Sequence, residues 1–316
     1  MPEHGRLGYR ERVTLSARWD VASGWRVGLV RRDELIPIHD CPVHSARVRA
    51  LVHHLVRTLP RAEAVPLAFL HVAGAQAALI VKSARLAPEA LDHVMPGLAE
   101  TGIEGLWLHL HPCAGRRLFA RSGWRLLWGQ PESRDSSGLL HGPTAFLQPL
   151  PDQHRDMLRD VAAYLGADSG SSVLDLYSGN GGTLRLWTAS GARALGVELS
   201  GEAVSYAARN APHASMLRGT CAQRLPQIRE WWSRARDRRL AYLNPPRSGL
   251  ETEVAGALAE EFRPARIAYL SCSAGTLARD LELLESGGYR IERILPYDYF
   301  PQTHHVETLA LLALGS

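Results

Sequence analysis

The sequence predicts an α/β protein in two parts, a mixed α/β domain over residues 1–145 and a doubly wound parallel sheet over residues 146–316. Three observations carry that expectation. From Val173 onward short apolar runs alternate with helix-length stretches, the pattern of a parallel sheet with crossover helices. The first run, Val173-Leu174-Asp175-Leu176, leads into the glycine-rich turn Tyr177-Ser178-Gly179-Asn180-Gly181-Gly182. The second run, Ala194-Leu195-Gly196-Val197, ends in Glu198, 23 residues after Asp175.

Taken in order, residues 5–40 hold alternating segments broken by glycine, Arg12–Ser16 and Trp25–Val30, which read as antiparallel strands. After Cys41-Pro42, the spacing of Val48, Leu51, Val52, Leu55 and Val56 predicts an amphipathic helix that stops before Pro60. Strands follow at Leu67–Val72 and Ala77–Val81, a helix at Pro88–Glu100 and a strand at Leu106–Leu110. Glu132–Gly142, rich in Ser, Gly and charge, reads as an interdomain loop. A helix over Pro151–Leu165 leads into strands near 173–177, 194–198, 215–218, 240–243 and 266–271. The helix Thr183–Ala189 follows the glycine turn, and a closing pair is expected at Tyr289–Ile294 and Val306–Leu314.

Composition excludes several classes. With 46% hydrophobic and 22% charged residues the chain reads as globular. No apolar run approaches ~18 residues, and the N-terminus lacks a signal-peptide core, so no membrane partner and a cytoplasmic location are expected. The four cysteines (Cys41, Cys113, Cys221, Cys272) form no Cys-x-x-Cys pair, so neither a metal site nor a disulfide framework is expected. The net charge of +4 permits a polyanionic partner. From Arg218 to Arg239 seven arginines face only Glu230 and Asp237, with Trp231 and Trp232 among them. That stretch is either a surface for phosphates and bases or a solvated helix face anchored by its tryptophans.

The glycine turn at the head of a helix suits a ligand lying at the helix's positive end. The Asp-x-x-x-Gly-x-Gly spacing differs from the dinucleotide fingerprint. It resembles the first motif of Rossmann-like class I methyltransferases, which bind S-adenosyl-L-methionine. The resemblance implies that Asp175, Tyr177, Gly179 and Gly181 line the cofactor's methionine end and that Glu198 holds its ribose.

In such a sheet ligands bind beyond the carboxyl ends of the strands. Three later ends carry chemistry: Leu243-Asn244-Pro245-Pro246-Arg247, Leu270-Ser271-Cys272, and His304-His305-Val306-Glu307 ahead of the last strand. An amide, a thiol and a carboxyl group are expected to converge there. Ser271-Cys272-Ser273-Ala274-Gly275-Thr276-Leu277-Ala278-Arg279-Asp280-Leu281, with Pro301-Gln302-Thr303-His304-His305-Val306-Glu307 downstream, resembles the uracil-C5 RNA methyltransferase family. Tyr9-Arg10-Glu11-Arg12-Val13, Cys41-Pro42 and Phe146-Leu147-Gln148 are similar too, so the resemblance covers nearly the whole chain.

That resemblance implies a specific chemistry. Uracil C5 is a poor nucleophile until a thiolate adds to C6 and turns the ring into an enolate. Cys272 matches the family nucleophile, and Glu307 matches the base that removes the C5 proton so that the thiolate can leave. Gln148 matches a glutamine near the cofactor and target base. Asn244, which faces cofactor and base, stands where the family usually has aspartate. Its amide can accept from uracil N3–H or, flipped, donate to cytosine N3. Arg247 is expected on the substrate, and Arg247 or Arg279 is expected to make the neighbourhood of the thiol electropositive. His305 can polarise the site as well, or serve as a structural hydrogen-bonding histidine.

Departures include Gly219-Thr220-Cys221 where an acid often meets the adenine, Ser178 for cysteine, and Ser273-Ala274 for Asn-Pro. The N-terminal OB-like domain and the iron–sulfur cysteines of some members are not expected here. The reading is therefore a monomeric cytoplasmic enzyme with S-adenosyl-L-methionine as cofactor and tRNA or rRNA as partner. Its residues 1–145 would contact RNA, and its target base would be flipped out to Cys272. Alternatives are a cytidine-C5 enzyme and a catalytically inactive RNA-binding chaperone.

Overall fold

The computed structural model describes residues 6–115, 117–236 and 238–315. The chain divides between Pro149 and Leu150 into two compact units.

The first unit is built on a seven-stranded sheet. Its strands are β1 (Arg12–Asp20), β2 (Gly24–Arg31), β3 (Glu34–Pro37), β4 (Leu67–Ala73), β5 (Gln76–Val81), β6 (Gly105–Leu110) and β7 (Trp124–Gly129), in the order β3-β2-β1-β4-β5-β6-β7. Only β5 and β6 are parallel. Helix α1 (Ala46–Thr58) is capped by the Ser45 hydroxyl, which accepts from Val48 N–H, and it ends before Pro60. It buries Val48, Leu51, Val52 and Leu55 against Leu15, Val27 and Leu70, each burial worth about 1.5–3 kcal/mol.

Four sequence expectations need correction in this unit. The helix expected over Pro88–Glu100 is two short 3-10 segments, Pro88–Val94 and Ala99–Thr101. Pro96 and the left-handed Gly97 between them block a continuous helix. The region expected as a loop over 132–142 contains β8 (Ser133–Arg134) paired with β9 (Leu140–His141) around a turn held by Asp135. Strands β3 and β7 were not expected. β3 is too short for its alternation to register, and β7 is framed by arginines and tryptophans rather than aliphatic residues.

In the second unit, helix α2 (Pro151–Leu165) precedes a sheet in the order β12-β11-β10-β13-β14-β16-β15. Its strands are β10 (Ser171–Leu176), β11 (Arg193–Glu198), β12 (Ser215–Arg218), β13 (Arg238–Leu243), β14 (Arg266–Ser271), β15 (Tyr289–Tyr297) and β16 (Glu307–Leu314). The first five are parallel, while β16 runs antiparallel to both β14 and β15. The crossovers are helices α3 (Gly182–Ala189), α4 (Gly201–Asn210), α5 (Cys221–Ser233), α6 (Thr252–Gly256, continued by wider turns over Ala257–Phe262) and α7 (Ala274–Ser286).

Strand side chains alternate between two apolar layers. Leu174, Leu176, Ala241 and Leu243 enter one layer, and Val173, Leu240, Ala268 and Leu270 enter the other. Burial on both faces leaves the strand ends as the places where polar groups meet solvent.

Candidate active site

At the carboxyl edge the turn after β10 begins at Tyr177, whose left-handed φ of 62° ends the strand. Its ring packs on the core and its hydroxyl donates to Glu251 Oε2 at 3.3 Å. Gly179 adopts φ 57°, and a Cβ there would enter open space. At Gly181, φ 86°, a Cβ would sit 2.9 Å from the Ala207 backbone. The first glycine leaves room in front of the loop, and the second lets α3 begin against α4. Asn210 Nδ2 donates to Asn180 O at 2.9 Å and holds the loop from behind.

The half-exposed Glu198, the last residue of β11, faces this loop. Its Oε2 accepts from Gly179 N–H at 3.1 Å and its Oε1 from Ser200 N–H at 2.7 Å. Each oxygen keeps a lone pair for a further donor. Leu199 beside it is 64% exposed, an apolar surface that the sequence reading did not single out. Asp175 is fully buried and accepts from Trp187 Nε1 at 2.8 Å, and burial pushes its carboxyl up to about 7. It braces α3 against β10 from beneath the turn and presents no surface to a ligand.

Asn244 follows β13, and its N–H donates to Leu176 O at 3.3 Å, which ties the Asn-Pro-Pro-Arg segment to the glycine turn. Arg247 is exposed, and its Nη2 lies 3.5 Å from His305 Nε2. Cys272 follows β14 and is half-buried, while Glu307 opens β16 and is buried. Burial first, then the Glu307 charge, push the Cys272 thiol above its ordinary value, and Arg247 pulls it back by charge and hydrogen bonding. Burial likewise raises Glu307 to about 7 against the pull of Arg247. Thiol, carboxyl and guanidinium thus form one electrostatic cluster.

Of the two arginines considered for the thiol, Arg247 fills the role. Arg279 is spent on Asp280 and on the carbonyls of Ser248 and Leu250. The electropositive neighbourhood is weaker than expected, since burial and Glu307 outweigh Arg247 at the thiol.

The arginine-rich stretch 218–239 resolves to the plainer of its two readings. Trp231 and Trp232 are buried, and Arg193 and Arg239 lie over their rings. Arg236 donates to Ser169 O and Gly191 O at the amino edge of the sheet, opposite the site. Asp237 lies outside the described residues. At the head of α5, Thr220 and Gln223 form a reciprocal cap, so the hydroxyl at the position often taken by an acid is occupied by the helix. Gln148 is half-buried in the closing segment of the first unit, one residue before Pro149.

No helix is long and apolar enough to cross a membrane, and among the described residues no cluster of His, Cys, Asp or Glu is arranged to hold a metal ion.

The parallel sheet with its antiparallel last hairpin strand and a glycine turn facing a strand-end acid defines a class I S-adenosylmethionine-dependent methyltransferase fold. Residues 234–314 match the tRNA (Uracil-5-)-methyltransferase family. The chain is 31% identical to an uncharacterized RNA methyltransferase of Gloeobacter violaceus, over 97% of this chain and 70% of that protein. It is 29% identical to the 23S rRNA (uracil(1939)-C(5))-methyltransferase RlmD of Pseudomonas putida, over 98% and 68%. In fold it is similar to the Pyrococcus abyssi tRNA (uracil-54, C5)-methyltransferase, solved with S-adenosyl-L-homocysteine. The TM-score is 0.74 at 22% identity, over 98% of this chain and 76% of that one. The chain belongs to the uracil-C5 RNA methyltransferase family.

Proposed function

We propose that this protein methylates C5 of uridine in tRNA or rRNA through a covalent bond between Cys272 and C6. The observation that carries the reading is the meeting of Cys272, Glu307 and Arg247 at one strand edge, beside the glycine turn. The turn fits the cofactor: Gly179 leaves open space before it, and Glu198 offers free lone pairs at its edge. Gly179, Gly181 and the backbone of Tyr177 would cradle the methionine end, Glu198 would take the ribose hydroxyls, and Leu199 would lie against the adenine. Asp175 acts through the turn that it supports. When bound, the cofactor supplies an electrophilic methyl group.

The chain's own residues do the rest. The Cys272 thiolate adds to C6, and the C5–C6 electron pair moves toward O4 to make C5 nucleophilic. Arg247 stabilises the thiolate and keeps part of the Glu307 population ionised. After C5 is methylated, the Glu307 carboxylate takes the C5 proton, the C5–C6 double bond re-forms and the C6–S bond breaks. Asn244 accepts from uracil N3–H, Arg247 contacts the target nucleotide, and the first unit contacts RNA.

The test is methyl transfer from labelled S-adenosyl-L-methionine to bulk unmodified tRNA and rRNA, followed by nucleoside digestion and mass spectrometry. Label in 5-methyluridine is the expected result. Label confined to 5-methylcytidine would reassign the base, and label in neither RNA would reject the activity.

A further inference from the structure

Asp280 is a fully buried carboxylate on α7, eight residues after Cys272, and its contacts lead to β14 and to the segment that follows Arg247. Its Oδ2 accepts from Leu250 N–H at 2.8 Å and from the Tyr269 hydroxyl at 2.6 Å. Tyr269 lies on β14, three residues before Cys272. Oδ1 accepts from Arg279 Nε at 2.9 Å and Nη2 at 2.6 Å, a fork held by a 1% exposed carboxylate. Arg279 Nη2 also donates to Ser248 O at 3.0 Å and Leu250 O at 3.3 Å. One turn earlier on α7, Thr276 Oγ1 donates to Arg247 O at 3.2 Å. Gly249 allows this close approach, because a Cβ there would lie 2.5 Å from Asp280 Oδ2.

The consequence is a rigid link between two catalytic parts. Helix α7 starts two residues after Cys272. Through Thr276, Arg279 and Asp280 it grips the segment 247–250 that carries Arg247. The same helix therefore sets the nucleophile and the guanidinium that acts on it. A buried charge with four polar contacts is costly to leave half-satisfied, which makes the loop position well defined.

We propose that Asp280, with Arg279, is a positioning pair that fixes the Arg247 guanidinium against the Cys272 thiol. The inference rests on Cys272 being the nucleophile, and it needs neither RNA nor methyl transfer to be tested. Neither Asp280 nor Arg279 is among the groups that act on the thiol directly, whereas Arg247 is. Their removal reaches the thiol through the loop.

The experiment is the pH dependence of Cys272 alkylation by iodoacetamide in the full-length protein, read on the Cys272 peptide by mass spectrometry. It compares wild type, Asp280→Asn, Arg279→Gln, Arg247→Ala and the double variant Asp280→Asn/Arg247→Ala. The expected result is that both clamp variants move the alkylation midpoint upward, as Arg247→Ala does, while the double variant moves it no further than Arg247→Ala alone. Arg279→Lys, which keeps the charge and loses the fork, is expected to fall between wild type and Arg279→Gln. Arg279 is half-exposed, so its variants remain informative if Asp280→Asn does not fold. Midpoints unchanged in folded Arg279→Gln and Asp280→Asn, or shifts that add to that of Arg247→Ala, would overturn the proposal. Failure of RNA methylation in the wild type would instead strike the functional reading and leave this test standing.

Discussion

Cys272 and Glu307 flank the last paired step of the β14–β16 ladder, Ser271 with Thr308. The antiparallel register runs from Arg266 with Ala313 to Ser271 with Thr308, so Cys272 leaves β14 next to the point where Glu307 enters β16. The proposed nucleophile and base, thirty-five positions apart in sequence, are thereby brought to one edge of the sheet, where each acts on the other electrostatically.

The pH dependence of methylation follows from this pairing. In the proposed mechanism Glu307 works as a carboxylate and the Cys272 thiol works ionised, while Glu307 sits at about 7 and the thiol above its ordinary value. Both active forms are deprotonated, so kcat/KM is expected to climb from pH 6 to pH 9, approaching a hundredfold per unit at the acid end, where both groups are protonated, and about tenfold per unit once Glu307 has ionised. Rate profiles in matched ionic strength check this, and a flat profile from pH 5.5 upward would contradict it.

Arg247 is the positive charge that opposes both upward shifts. Replacing it with alanine should move the rate profile toward alkaline pH and lower kcat/KM at pH 7 by roughly 10- to 100-fold. Lysine should restore part of the loss, because it keeps the charge without the planar fork. Steady-state kinetics at three pH values distinguishes this from a simple binding defect.

In the proposed reaction Asn244 sets which base is accepted. Its amide can present either an acceptor or a donor to ring N3, whereas a carboxylate can only accept from it. Asn244→Asp is therefore expected to keep or raise 5-methyluridine and to remove any 5-methylcytidine. Nucleoside mass spectrometry reads both, and undiminished 5-methylcytidine in the variant would refute this role.

Asp175 makes a stability prediction. Its folded value of about 7 lies above the ordinary carboxylate range, so the folded chain binds the extra proton between those values. Its contribution is fully present at low pH and is lost as pH rises through about 7. Asp175→Asn keeps an acceptor for Trp187 without the charge. It should raise Tm relative to wild type at pH 8 by on the order of 5 °C, with little difference at pH 4.5. Calorimetry at the two pH values decides, and an equal change at both would contradict the burial argument.

Much of the candidate site was legible because its polar groups are concentrated at strand ends. Cys272 closes one apolar run and Glu307 opens another, and the glycine turn and Glu198 are placed by local backbone rules. What sequence could not settle depends on long-range contacts. Arg247 and Arg279 are both arginines near the thiol in sequence, and only the Asp280 contacts show that one is committed to the loop. Trp231 and Trp232 read equally well as stacking surfaces until their burial is known. Strands β3 and β7 escaped notice because one is four residues long and the other alternates in aromatic and charged residues. Asp175 matched a ligand-facing motif position, but the fold turns its carboxylate inward to Trp187.

The most direct test of the central claim uses Glu307→Gln with substrate RNA and S-adenosyl-L-methionine. Without the base, the C5 proton stays and the C6–S bond cannot break, so a denaturation-resistant protein–RNA complex should accumulate. Digestion should then yield the Cys272 peptide carrying a C5-methylated nucleotide, and Cys272→Ala should give no complex. A Glu307→Gln protein that turns over at the wild-type rate, or an adduct on any other residue, would contradict the account.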